Sequence, residues 1–296
     1  MKKSIILSLI ILLFTFVVLS FLSRNGEYAA QRDLWGINLK LKQASKDPNN
    51  MPKNVFKEIM DDYDQFMIKH PNSRMRPYAH LISGRVYMLQ RKFEQARQEF
   101  ETILEEYPKE TAANIQALAE IGRTYLKEDN GPAIVNTYER ILAKYPLTEL
   151  GLKVPLLRAE FYQRQNDETK TQQSYQNAAD HYEEIIKQNP DSLIEYQALK
   201  YLGQSSLVLE NWEKVVDSYG ELLIKYPYPK YLTVYESDKI IKMITTISIT
   251  KLKKYDPAKM IFLRFIERHP KHPFNETFFE MMKSFEFLKE ETKDIE

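Results

Sequence analysis

The sequence predicts an all-α protein, a row of helical hairpins stacked as a solenoid behind one N-terminal apolar helix. Three observations carry that expectation. An aromatic–apolar–proline pattern recurs six times at constant internal spacing. A small residue precedes several of those copies at a constant distance. An uncharged run of 20 residues stands near the start of the chain.

The apolar run comes first. Lys2 and Lys3 precede Ser4–Ser23, and 20 helical residues span about 30 Å, the thickness of a hydrocarbon core. The segment after it, Ser23-Arg24-Asn25-Gly26-Glu27, is a poor cleavage signal. A retained transmembrane anchor is therefore expected over 1–23, ahead of a cleaved signal peptide or a buried helix. Lys2 and Lys3 favour a cytoplasmic N-terminus, with Arg24 and Arg32 opposing them. The expectation is a single-pass membrane protein with residue 24 onward outside the cytoplasm, on the periplasmic side of an inner membrane. A juxtamembrane helix and loop are assigned to 24–52, its apolar positions being Leu34, Trp35, Ile37 and Leu41, and this helix can continue the membrane helix directly.

The repeats follow over 53–288. The first copy is Tyr63-x-x-Phe66 with His70-Pro71, and the second Phe100-x-x-Ile103-Leu104 with Tyr107-Pro108. Tyr138, Tyr182, Tyr219 and Phe262 open the next four, which end at Pro146, Pro190, Pro227 and Pro270. Residues at i, i+3 and i+4 form one helix face, and proline at i+8 cannot continue that helix. Proline also biases the residue before it away from helical geometry. Each copy therefore reads as a helix end followed by a fixed turn. Gly84, Gly122 and Gly203 each stand 24 residues before a proline, on a preceding helix where a small residue lets two helices approach closely. The third full repeat has Ala159 in the glycine position and is 7 residues longer, the excess falling near 166–173, either as two extra helical turns or as an exposed loop. The fifth has Thr246 there and an unusually apolar first helix. A lone helix near 274–288 caps the array, and 289–296 is a charged tail.

These residues resemble the tetratricopeptide repeat. The Gly84-to-Pro108 copy, with Tyr87, Phe93, Ala96 and Phe100, fits it best, and Asn211-Trp212-Glu213-Lys214-Val215 and Lys254-Tyr255-Asp256-Pro257-Ala258 echo its second helix. The resemblance implies a right-handed superhelix of helix pairs. The Tyr-Pro ending is similar to repeats of bacterial envelope proteins, among them BamD-like assembly lipoproteins and Tol–Pal coordinator proteins. The lipobox cysteine of the former is missing.

The rest of the composition excludes more than it names. The chain has 296 residues, 43% hydrophobic and 28% charged, too apolar for a disordered chain. With 42 Lys+Arg against 41 Asp+Glu, the balance argues against a nucleic-acid binder. Zero cysteines exclude disulfides, thiolate metal sites and a cysteine nucleophile. Eight glycines leave little room for phosphate-cradling loops or tight β-turns. No P-loop, GxGxxG, GxSxG or HExxH is present, so no enzyme and no cofactor is expected. His269-x-x-His272 lacks a third ligand and each histidine precedes proline, so no metal site is expected either.

What remains is a groove. The resemblance places the inner face of the first helices on Tyr78, Leu81, Arg85 and Met88, then Gln116, Ala119, Arg123 and Leu126, and later Gln197, Lys200, Gln204 and Leu207. Arg85 and Arg123 occupy equivalent places on adjacent helices and could together pair with a partner's carboxylate. The carboxylate clamp of chaperone-binding relatives needs lysine and asparagine where this chain has Leu81 and Arg85, which argues against that ligand. The reading is a non-catalytic, membrane-anchored scaffold at the cell envelope that binds a protein or peptide segment in the groove. A cell-wall glycan stacked on the many tyrosines is the alternative.

Overall fold

The computed structural model describes residues 11–16, 26–47 and 52–293, and every regular element among them is a helix. Within the apolar run only 11–16 are described. They are helical, with exposed apolar side chains. Among the described residues no helix is long and apolar enough to cross a membrane. The spanning helix expected over 4–23 is thus not shown, and most of it lies outside the described residues.

The chain divides into two compact units, 1–144 and 145–296. The first holds α1 (Glu27–Ala44), α2 (Lys53–Lys69), α3 (Arg76–Leu89), α4 (Phe93–Glu106), α5 (Thr111–Lys127) and α6 (Gly131–Lys144). They form three antiparallel hairpins, α1–α2, α3–α4 and α5–α6, in which α3 packs against both α1 and α5. The second unit holds α7 (Glu149–Arg164), α8 (Glu168–Gln188), α9 (Leu193–Val208), α10 (Trp212–Lys225), α11 (Val234–Thr250), α12 (Asp256–Arg268) and α13 (Phe274–Lys293). Here α7–α8, α9–α10 and α11–α12 are hairpins, α7 packs on α9, and α13 covers α12.

The aromatic of each copy is where the hydrophobic stabilisation concentrates. Phe100, Tyr182 and Phe262 are fully buried, each contributing about 1.5–3 kcal/mol by leaving water. The glycine positions explain how such rings fit between helices. A Cβ on Gly84 would run into the Phe100 ring, and one on Gly203 into the Tyr219 ring. At Gly122 the neighbour is only the Thr137 methyl, at ordinary contact distance.

The turn after each second helix repeats closely. Before their prolines, His70, Tyr107, Asn189, Tyr226 and His269 have φ between −123° and −130° and ψ between 46° and 64°. The pre-proline side chains also tie a hairpin's open end. Tyr107 Oη accepts from Arg76 Nε at 2.9 Å, and Tyr226 Oη donates to Glu195 Oε2 at 2.7 Å. The turns inside the five hairpins from α3–α4 onward share a second feature. Arg91, Asp129, Asn166, Glu210 and Lys253 all sit there at φ of 53–59°, the left-handed region, with no glycine among them. Glycine scarcity therefore did not prevent tight turns; it left them strained.

Four expectations are corrected or decided by these helices. The apolar 29–44 segment is a complete partner for α2, burying Ala30, Leu34, Ile37 and Leu41, but Trp35 is 65% exposed. It falls one residue off the phase of the buried positions. Gly26 is extended at φ −89° and ψ 177° and caps α1, so α1 does not run on from the preceding segment as one continuous helix. The long third repeat resolves as helix: α8 has 21 residues where α4 and α10 have 14. The last helix also extends past 288, to Lys293.

Candidate functional site

In the first unit, α1, α3 and α5 line a groove of about 400 Å³. Tyr78, Leu81, Arg85 and Gln116, all expected from the sequence, are in its lining. Leu81 is nearly inaccessible at 2% exposed and serves the core as floor. The structure adds Gln31, Trp35 and Asn38 from α1. These follow from a signal present in the sequence: 31, 35 and 38 share an i, i+4, i+7 face distinct from the buried Ala30–Leu34–Ile37–Leu41 phase. The result is a wall of side-chain amides beside an exposed indole. Each amide offers both donor and acceptor, which suits a polypeptide backbone.

The two arginines are already paired. Arg85 Nε donates to Glu120 Oε1 at 2.8 Å and Arg123 Nη1 to Glu120 Oε2 at 2.7 Å. The Glu120 side chain is only 4% exposed, while those of Arg85 and Arg123 are 38% and 58% exposed. The carboxylate expected from a partner is thus supplied by the chain itself. One guanidinium charge is left in excess at the groove edge. Glu120 was legible as a single acid inside Ala117-Leu118-Ala119-Glu120-Ile121, an otherwise apolar stretch of α5.

The other candidates are placed as follows. Met88 packs, partly buried, against the core shared by α3, α4 and α5. Leu126 is 43% exposed near the end of α5. Gln197, Lys200 and Gln204 lie half-buried along one face of α9 in the second unit, so they belong to a different body from Tyr78 and Arg85. Several tyrosines are structural: Tyr63, Tyr138, Tyr175, Tyr182, Tyr196 and Tyr219 are all buried, while Tyr28, Tyr228 and Tyr235 are exposed.

A second cavity, of about 610 Å³, lies between the loop joining α10 to α11 and the loop joining α12 to α13. Pro227, Tyr228, Pro270 and Phe274 contribute its apolar walls, and His269 and His272 are part of the lining. His269 Nε2 donates to the Ile224 carbonyl at 2.7 Å, and His272 Nδ1 accepts from the Phe274 amide at 3.2 Å. Burial and the adjacent His269 push the His272 imidazole below its ordinary pKa. Among the described residues no group of three or more His, Cys, Asp or Glu side chains could hold a metal ion.

The stacked hairpins, with their aromatic–proline endings and a groove on the first helices, define a helical-hairpin repeat protein. Residues 78–110, from α3 through the turn after α4, match the tetratricopeptide repeat family model. That match covers one repeat of the chain. A tetratricopeptide repeat protein from Parabacteroides merdae, of known crystal structure, is similar over 85% of this chain and 98% of its own, at 14% identity and a TM-score of 0.40. No curated protein matches the sequence.

Proposed function

We propose that this chain is a non-catalytic interaction scaffold whose first-unit groove holds an extended segment of a partner protein bearing an acidic side chain. The observation that carries the reading is the combination of Gln31, Asn38 and Gln116 with Trp35 and the under-compensated Arg85–Glu120–Arg123 cluster. The amides match backbone groups, the indole gives an apolar anchor, and the excess cation selects the acid. The apolar run 4–23 supports a further part of the proposal: membrane anchoring, with the repeats on the periplasmic side of a bacterial inner membrane. Anchoring would raise the local concentration of the scaffold at an envelope assembly, the setting of the BamD-like and Tol–Pal coordinator proteins.

The test is partner recovery from detergent extract by the wild-type chain and by a Trp35→Ala/Gln116→Ala variant. Loss of the same partner from the variant supports the groove; an unchanged partner set removes it. A reporter fused to the C-terminus, active on one side of the membrane only, tests sidedness. The glycan alternative depends on exposed aromatics, and Trp35, Tyr28, Tyr228 and Tyr235 are the strongly exposed ones among the described tyrosines and tryptophans. Sedimentation with isolated cell wall would revive it if the protein were retained.

A further inference from the structure

We propose that the cavity between loops 226–233 and 269–273 binds a small organic anion, an aromatic or flat apolar body carrying one carboxylate. Its volume of about 610 Å³ lies inside the range of about 300–1,000 Å³ usual for small-ligand pockets. Pro227, Pro229, Pro270 and Pro273 stand in its wall, and the fixed φ of proline holds the two loops in shape before any ligand arrives. Tyr228 and Phe274 supply aromatic surface.

Charge specifies the polar end. Arg268 and Lys271 line the cavity, no carboxylate does, and among the described residues neither cation has an acid at ion-pair distance. Elsewhere in this unit Lys225 is paired to Glu195 and Arg264 to Glu221. An unpaired Arg and Lys beside an apolar hollow complement an anion with an apolar body. One more group is uncommitted: Ser237 lies in the lining, is 1% exposed, and its Oγ has no hydrogen-bond partner. Buried polar atoms without partners are uncommon, and a few such groups in an apolar wall are how small-ligand pockets fix orientation.

The lining also argues for a small molecule over a chain segment. Both imidazoles are already hydrogen bonded to backbone, which leaves the Ser237 and Tyr228 hydroxyls beside the two cations. An extended peptide needs a row of donors and acceptors, as the amides of the first-unit groove provide.

The experiment uses the full chain with histidines labelled for NMR. Benzoate, naphthoate and indole acetate are titrated against their amides, at fixed ionic strength. At least one acid should give saturable shifts of His269 and His272 while His70, His80 and His181 stay still. Its amide should bind about tenfold more weakly or worse, as should the acid to an Arg268→Gln/Lys271→Gln variant. Both positions are exposed, so the variant should fold, and unchanged chemical shifts elsewhere check that. The proposal is overturned if no acid saturates, if acid and amide bind alike, if the double variant binds like wild type, or if a capped Gly-Phe-Asp-Gly peptide binds where the acids do not.

Discussion

Arg85 on α3 donates through Nε to the carboxylate of Glu120 on α5 across 2.8 Å, joining the first helices of two successive hairpins at the groove edge. Arg123 holds the other oxygen of the same carboxylate. Charge reversal at Arg85 and Arg123 would place two new acids against a buried one. The Arg85→Glu/Arg123→Glu variant is expected to lose about 3 kcal/mol or more of first-unit stability, so a lost partner would report unfolding. Arg85→Gln/Arg123→Gln should cost less, about 1–2 kcal/mol given the exposure of both guanidiniums. Thermal melts of the two variants side by side check this; equal stability would mean that Glu120 does not hold the arginines as described.

The three glycines of the repeat should respond differently to one methyl group. Gly84→Ala and Gly203→Ala force the Phe100 and Tyr219 rings to move and should destabilise by about 1–3 kcal/mol. Gly122→Ala meets only the Thr137 methyl, at 3.5 Å. There the helix-propensity gain should prevail, leaving stability unchanged or raised by up to about 1 kcal/mol. Urea titrations of the three variants would show the split, and a uniform loss would count against the packing.

The turn residues give the opposite kind of variant. Glu210 and Lys253 sit at φ of 55° and 53°, where a side chain strains the backbone by about 1–2 kcal/mol. Glycine relieves that strain but loosens the unfolded chain. The net expectation for Glu210→Gly or Lys253→Gly is a gain of about 0.5–1 kcal/mol, measurable as a raised melting temperature. A fall of the same size would contradict the left-handed turn.

Acid should loosen each unit through its own latch. Burial raises the pKa of Asp33, but hydrogen bonds from Lys69, His70 and Arg32 outweigh it and hold the carboxyl well below the usual carboxylate range. Glu195 is likewise penalised by burial and lowered overall by Lys225, Tyr226 and the Asp191 amide. A depressed folded pKa contributes stability that is fully present above the unfolded pKa, near 4, and is lost as pH falls towards the folded value. Asp33→Asn should therefore destabilise the first unit by about 1–2 kcal/mol at pH 7, with the difference shrinking steadily below about pH 4. Glu195→Gln should do the same in the second unit. Hydrogen exchange at pH 7 and pH 3 separates the two units, and a pH-independent difference would assign these contacts no electrostatic role.

Periodicity made the hairpins legible because each copy must bury one aromatic face and end at proline, and both demands are local. Tyr63, Phe100, Tyr182 and Phe262 could be assigned to the core from spacing alone, whereas the groove residues Tyr78, Arg85 and Gln116 came from the family resemblance. Trp35 was grouped with Leu34, Ile37 and Leu41 because a large apolar residue one step off phase is not told apart from them until the facing helix is known. The clamp on Glu120 was not read at all, since its partners come from two different helices. The left-handed turns at Arg91, Glu210 and Lys253 are not legible in the sequence, because these residues carry none of the usual signals of glycine, asparagine or aspartate.

The amino-acid order by itself determined which segments are helices, where they stop and which stripe of each turns inward, because those properties arise from interactions within a few residues. Only the tertiary structure decided which exposed side chains share a surface, which charges are already neutralised from within, and where two proline-stiffened loops enclose a hollow. Those outcomes depend on distances between residues tens of positions apart, and helical spacing along one segment carries no record of them.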